Sequence, residues 1–315
     1  MRKQSCILCV VMAAVLLLSI GGCNSVDVYV HHKQRIVIVT KALDSEFWQT
    51  LKSGAEEAAR QHPDVELSVL APEREINIDQ QVSILEDQIL KKVSALAVVP
   101  GGIAEVTPVL DKARAAGIPV LIVDNDTPWP GKLCYIGTDN RVGGKLAGDY
   151  LVKILGGHGK VAIIRGVLGV VSHDDRVAGF QDAIAQAPGI QLVTIQPANS
   201  ERALGLTVME NLLTSHPDLN AVFATNDQMA LGAMEGVAAQ HLSGKIFLVG
   251  FDAGKEAVRA VKSGAISAVI AQYPANMGKQ AVEAALKAIQ GQPIPKVIDT
   301  GTALVTKENA DEFLK

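Results

Sequence analysis

Short apolar runs alternate with longer stretches whose apolar positions recur every three to four residues, from about residue 35 to the C-terminus. The pattern predicts strands over Arg35–Thr40, Val65–Leu70, Ala95–Val99 and Pro119–Val123, separated by helices over Glu46–Gln61, Ile78–Lys92 and Ile103–Ala116. In the second of these helices Ile78, Val82, Leu85, Ile89 and Leu90 are expected on one face. Around Asp139 the pattern restarts. It predicts helix Arg141–Leu155, strand Lys160–Arg165, helix Arg176–Ala187, strand Gln191–Ile195 and helix Arg202–Ser215. Strands Ala221–Ala224, Ile246–Gly250 and Ile266–Ala271 follow, with a helix around Met229, Leu231, Met234 and Val237 and a short one over Ala257–Ser263. Helix Asn276–Gln290 precedes a last strand-like piece, Thr302–Thr306. Apolar strands alternating with helices imply parallel sheets covered on both faces, and the restart implies two α/β halves in series.

Several strands end in polar residues: Thr225-Asn226-Asp227 after Ala221–Ala224, and Phe251-Asp252 after Ile246–Gly250. Parallel strands bring their C-terminal tips to one edge, where open α/β sheets place ligands. Asn226, Asp227 and Asp252 are therefore expected in one cleft, offering acceptors and an amide to a hydroxyl-rich molecule. Capping of the following helix is the competing role, above all for Asp227.

The N-terminus departs from this pattern. Arg2 and Lys3 precede an apolar run from Ile7 to Ile20, short for a membrane span, and Ile20-Gly21-Gly22-Cys23 resembles a bacterial lipobox. That resemblance implies a lipoprotein signal peptide over 1–22, lipid on Cys23 and a polar tether over 23–34. Cys6 and Cys9 leave with the signal, so the folded part retains only Cys134, expected as a small buried hydrophobe without a disulfide partner. Loss of Arg2 and Lys3 leaves 27 basic against 33 acidic residues, a net charge of −6. An acidic chain without basic runs is a poor partner for nucleic acid.

Catalytic signatures are missing. The turn after the first strand, Thr40-Lys-Ala-Leu-Asp-Ser45, lacks the glycines that dinucleotide binding needs, and no phosphate-binding loop or nucleophile elbow occurs. His173-Asp174-Asp175 stands at a helix start, where acidic residues are favourable in their own right, so neither metal nor catalysis is read into it. No cofactor or metal is expected, and no enzyme activity.

Motifs spread over the whole chain carry a family resemblance: Asp44-Ser-Glu-Phe-Trp48, Val123-Asp124, Thr138-Asp139-Asn140 with Gly143-Gly144, Arg176 with Gly179-Phe180, Gln196-Pro-Ala198, Ala224-Thr-Asn226-Asp227 with Met229-Ala-Leu-Gly232, Val249-Gly-Phe-Asp252 and Ile270-Ala-Gln272. Together they resemble the ribose-binding-protein type of periplasmic binding protein. The resemblance implies two Rossmann-like lobes with parallel sheets, joined by a three-strand hinge. The N-terminal lobe would span 35–138 plus 273–300, and the C-terminal lobe 139–272 plus 301–315. By the same resemblance Phe47 and Trp48 occupy stacking positions, one of them expected to be largely core. Ser45, Asp124, Asn125, Arg176, Asn226, Asp252 and Gln272 occupy the polar positions around the sugar. Three departures count against ribose itself. Asn125 stands where a ribose receptor has arginine, Ser200 where it has a third aromatic, and Val99 where it has asparagine.

The implied function is a substrate-binding lipoprotein, exported and held at the cell membrane or in the periplasm by its lipid. It would capture a monosaccharide or polyol by hinge closure and deliver it, as a monomer, to ABC permease subunits. The alternative is a ligand-sensing receptor for a membrane kinase or chemoreceptor. A sugar-responsive repressor would need an N-terminal DNA-binding domain where this chain has an export signal.

Overall fold

A computed structural model describes residues 33–315 of the protein. The predicted signal peptide, the lipidation site Cys23 and the tether up to residue 32 lie outside the described residues. Among the described residues no helix is long and apolar enough to cross a membrane.

The chain alternates as β1 (Gln34–Val39), α1 (Glu46–Arg60), β2 (Val65–Leu70), α2 (Ile78–Leu90), β3 (Ala95–Val98), α3 (Ile103–Ala115), β4 (Val120–Val123) and β5 (Tyr135–Gly137). It continues with α4 (Asn140–Ile154), β6 (His158–Arg165), α5 (Val171–Ile184), β7 (Gly189–Pro197), α6 (Arg202–Ser215), β8 (Ala221–Ala224), α7 (Asp227–Ala239), β9 (Phe247–Asp252), α8 (Lys255–Ser263) and β10 (Ala268–Ala271). Helix α9 (Pro274–Ile289), β11 (Val297–Asp299), β12 (Ala303–Val305) and a 3-10 turn (Ala310–Glu312) complete it.

Two six-stranded sheets result, in the orders β11-β5-β4-β3-β1-β2 and β12-β10-β9-β8-β6-β7. All recorded pairings are parallel except that of β10 with β12. Each sheet is covered on both faces, which is why its central strands are apolar throughout. In β1, Ile36 and Ile38 enter one core while Val37 and Val39 enter another. In β8, Val222 and Ala224 face one core and Phe223 the other. Cys134 is free and buried.

The chain passes between the two lobes three times: after β5, after β10 and between β11 and β12. The crossings are tied to one another. Thr138 Oγ1 donates to the Gly301 carbonyl at 3.1 Å, Thr300 N to the Gly137 carbonyl at 2.9 Å, and Thr302 Oγ1 to the Ala271 carbonyl at 2.8 Å.

Facing glycines hold helix pairs in backbone contact in both lobes, including α6 with α7 at Gly205 and Gly232. A methyl at Gly144 of α4 would sit 2.1 Å from the Arg176 carbonyl oxygen, and one at Gly179 of α5 would sit 2.0 Å from that of Arg141. The other lobe repeats the device between α1 and α9 at Gly54 and Gly278.

Three differences from the pattern-based expectation have physical causes. Helix α5 begins at Val171, five residues before the predicted Arg176, because Ser172-His-Asp-Asp reads as polar turn chemistry. Strands β5 and β11 have three residues each, too few for periodicity to register. Leu90 is 81% exposed and leaves the α2 stripe, because α2 ends there and the chain turns away.

Candidate functional site

The C-terminal tips of β1, β4, β8, β9 and β10 converge between the lobes, and they carry the polar groups there. Lys41, Ser45, Phe47, Trp48, Glu75, Asp124, His173, Arg176, Asn226, Asp252 and Gln272 line one cavity. Of the nine residues expected from the sequence, Asn125 alone is turned away from it. Its buried amide donates to the Pro100 carbonyl, and its Oδ1 accepts from Ser172 N at 2.7 Å, stitching one lobe to the first turn of α5 in the other.

From the first lobe, Phe47 and Trp48 meet edge to face, with ring centroids 4.8 Å apart and planes at 89°. Trp48 is 4% exposed and belongs to the core beneath α1, whereas Phe47 lies at the edge of that core. The indole Nε1 donates to Glu75 Oε1 at 3.2 Å, and Lys41 Nζ stands 5.3 Å from the indole ring. Lys41 is buried and lies 3.7 Å from Asp124 Oδ2 and 4.0 Å from Glu75 Oε2. Asp124 leaves β4 with φ 59°, and its carbonyl accepts from the Tyr135 hydroxyl at 3.0 Å. This left-handed turn, tolerated by aspartate, redirects the chain at the strand tip.

From the second lobe, Arg176 is buried and almost fully engaged. Its Nε donates to Asn140 Oδ1 at 2.8 Å and its Nη1 to the Thr225 carbonyl at 2.7 Å. Its guanidinium carbon lies 3.8 Å from the centroid of the Phe251 ring, and Nη1 is 3.6 Å from Asp252 Oδ1. Asp252 and Ala253 have φ values of 97° and 64°, consecutive left-handed positions without glycine. Strain of this kind persists where the surroundings over-determine it, and it clusters at ligand sites. Gln272, on the crossing after β10, donates to Asp252 Oδ1 at 2.7 Å.

The capping role expected above all for Asp227 falls to Asn226, which also lines the cavity. Asn226 caps α7, its Oδ1 accepting from Met229 N at 2.9 Å, while its amide points to the Ser200 carbonyl at 3.3 Å. Asp227 is not a side-chain cap. Its Oδ2 accepts from Gly254 N, closing the turn after β9.

Burial dominates the electrostatics. It raises the carboxyls of Asp124 and Asp252 above the ordinary range, with Lys41 pulling the first back down and Arg176 the second. Asp227 is raised further, first by burial and then by repulsion from Asp252. His173 is held well below its ordinary value by burial and by the nearby charges of Arg176, Lys41 and Arg165, so it is a neutral imidazole.

Several buried acceptors on this cavity have no hydrogen-bond partner: Glu75 Oε2, Asp124 Oδ1 and Gln272 Oε1. Lys41, Glu75 and His173 carry no sequence signal. Lys41 is one charge among apolar neighbours, Glu75 lies in a polar loop without register, and His173 is hidden in the polar start of α5. Among the described residues no group of three His, Cys, Asp or Glu is placed to hold a metal ion.

Two α/β lobes with a polar cleft at their strand tips define a receptor that encloses a small molecule. The chain belongs to the periplasmic binding protein family, whose domain matches residues 36–293, and within it to the ribose-binding-protein type. It is 35% identical over 274 residues to the ribose import binding protein of Bacillus subtilis, covering 87% of each chain. It is 34% identical over 309 residues to a D-ribose/D-allose-binding protein of Pseudomonas aeruginosa, covering 94% and 97%. The crystal structure of an ABC transporter periplasmic solute-binding protein from Actinobacillus succinogenes, with bound D-allose, is 36% identical. It superposes with a TM-score of 0.83, covering 89% of this chain and all of that one.

Proposed function

We propose that the protein captures an uncharged aldose or cyclic polyol between its lobes and delivers it to an ABC importer, exported and held at the membrane through lipid on Cys23. The observation that carries this reading is the set of orphaned acceptors. A buried carboxylate or amide oxygen without a donor is costly, and Glu75 Oε2, Asp124 Oδ1 and Gln272 Oε1 meet at one cavity. A molecule rich in hydroxyls supplies donors to all three while laying an apolar C–H face against Phe47. The relatives named for ribose and for allose, and the allose-bound neighbour, support the same class.

Asn125 weakens the case for ribose, because its amide is spent on Pro100 and Ser172 and offers the ligand nothing. The central cavity holds about 20 Å³, room for about one water. It shares Ser45 and Asn226 with two flanking pockets of about 200 and 270 Å³. A sugar ring is therefore read as seated where these spaces meet, reached by parting the lobes about the three crossings.

A thermal-shift screen of D-ribose, D-allose, D-arabinose, D-fucose and myo-inositol tests this, because a ligand of the folded state raises Tm by mass action. At least one is expected to raise Tm in proportion to the logarithm of its concentration. No shift with any of them, confirmed by calorimetry, would refute the proposal.

A further inference from the structure

His173 is 3% exposed and yet lines the cavity. Its Nδ1 lies 2.9 Å from Thr225 Oγ1 and its Nε2 3.2 Å from Ser200 Oγ. Thr225 is fully buried, and its Oγ1 already accepts from Gly166 N at 3.1 Å. A threonine hydroxyl has one hydrogen to give, and the acceptor Thr225 meets is His173 Nδ1. Were Nδ1 to carry the hydrogen instead, Thr225 would receive two donors and bury its own hydrogen without an acceptor. The hydrogen bonds therefore run one way, from Gly166 N to Thr225 Oγ1 and from Thr225 Oγ1 to His173 Nδ1. That leaves the imidazole hydrogen on Nε2, from which it is donated to Ser200 Oγ.

The hydrogen of Ser200 itself is then not used by the imidazole. Asn199 and Ser200 adopt left-handed φ values of 49° and 66°, and this bend sets Ser200 on the cleft beside Ser45 and Asn226. Gly166 leaves the room the imidazole occupies, since an added methyl there would lie 2.2 Å from Nε2.

We propose that Thr225, His173 and Ser200 form a directional relay that presents the Ser200 hydroxyl as a hydrogen-bond donor to an acceptor oxygen of the bound sugar. His173 and Thr225 are its positioning residues. The relay rests on the reading of the cleft as a sugar site, and it gives that site a polarity. The first lobe and the crossing after β10 offer acceptors at Glu75, Asp124 and Gln272, whereas this flank of the second lobe offers a donor. A sugar with an ether, keto or hydroxyl oxygen on that flank accepts this hydrogen.

The tautomer is testable without ligand. Full-length protein in mild detergent, labelled with 15N-histidine, is examined by long-range 1H–15N correlation between pH 5 and 8, with the His173 signals identified by their loss in His173→Gln. A neutral Nε2–H pattern throughout this range is expected. An Nδ1–H pattern, or an imidazolium at pH 6, overturns the relay. Affinity gives a second readout with whichever of D-ribose, D-allose and myo-inositol binds. Ser200→Ala and Thr225→Val are each expected to weaken binding about tenfold, their combination is expected to weaken it no further, and Thr225→Ser should keep near-native affinity. Additive losses overturn the relay, because two independent structural defects add whereas two breaks in one chain do not. Should none of the sugars bind, the sugar reading fails and the spectra still decide the relay.

Discussion

At the residue scale the site is a set of buried charges that compensate one another incompletely. Arg176 serves Asn140, the Thr225 carbonyl, the Phe251 ring and Asp252 at once. Arg176→Ala strips Asp252 of its countercharge, and Asp252→Ala frees Gln272 and half-frees the guanidinium. Each is expected to weaken sugar binding by about 2 kcal/mol or more, roughly 30-fold. Isothermal titration checks this, and native affinity in both variants would remove these residues from the site. Asp227 gives a pH prediction. Its carboxyl is raised well above 3.8 by burial and then by Asp252. A carboxyl raised on folding stabilises the fold while protonated, so its contribution is complete below the ordinary value and is lost as pH climbs through the raised one. Asp227→Asn keeps an acceptor for Gly254 N and cannot ionise. Its Tm should match that of the native protein at pH 4 and exceed it at pH 8. A Tm difference independent of pH would show that folding does not raise the Asp227 carboxyl.

At the element scale, the glycine pair between α4 and α5 ties packing to chemistry, because the backbone atom that Gly144 approaches is the carbonyl of Arg176 itself. Gly144→Ala should push α5 outward at that point. Both a lower Tm and weaker binding are expected, whereas Gly54→Ala, at the equivalent contact of α1 with α9, should lower Tm with less effect on affinity. Equal losses of affinity would mean that the α4–α5 spacing does not position Arg176. Much of this framework is legible in the sequence. Apolar strands such as Ala95–Val98 and Ala221–Ala224 announce themselves because both faces are buried, and parallel strands must bring Asn226 and Asp252 to one edge. What pattern cannot convey is which side chain points where after the strand ends. Asn125 follows Asp124 directly, yet it bonds to Pro100 and Ser172 because the left-handed turn at Asp124 reverses the chain. The surroundings of His173 escape pattern reading for a related reason. Its hydrogen-bond partners, Thr225 and Ser200, are 52 and 27 residues away, and no local spacing records such partners.

At the scale of the whole molecule, the two lobes also touch at residues outside the central cavity. Glu46 of α1 reaches across the cleft so that its Oε2 accepts from Lys255 N at 2.8 Å, placing a negative charge at the N-terminus of α8 in the opposite lobe. Arg74 pairs with Glu201 across the same cleft. Both contacts are at least partly exposed, so each is worth only a few tenths of a kcal/mol up to about 1 kcal/mol. On the proposed parting of the lobes, their effect would fall on the balance between open and closed forms rather than on any one hydroxyl, since apparent affinity scales with the population of the competent form. We therefore expect the double variant Glu46→Ala/Arg74→Ala to raise Kd by roughly fivefold, and by the same factor for every sugar that binds. Substitutions at Arg176 or Ser200 should instead alter the ranking among sugars. Salt separates the two origins further. Screening of the exposed Arg74–Glu201 pair should raise the Kd of the native protein between low and physiological ionic strength, and the double variant should show a shallower dependence. Titrations of D-ribose, D-allose and myo-inositol at two salt concentrations decide the matter. A loss confined to one sugar would place Glu46 or Arg74 within the ligand's own contacts and remove them from the closing device.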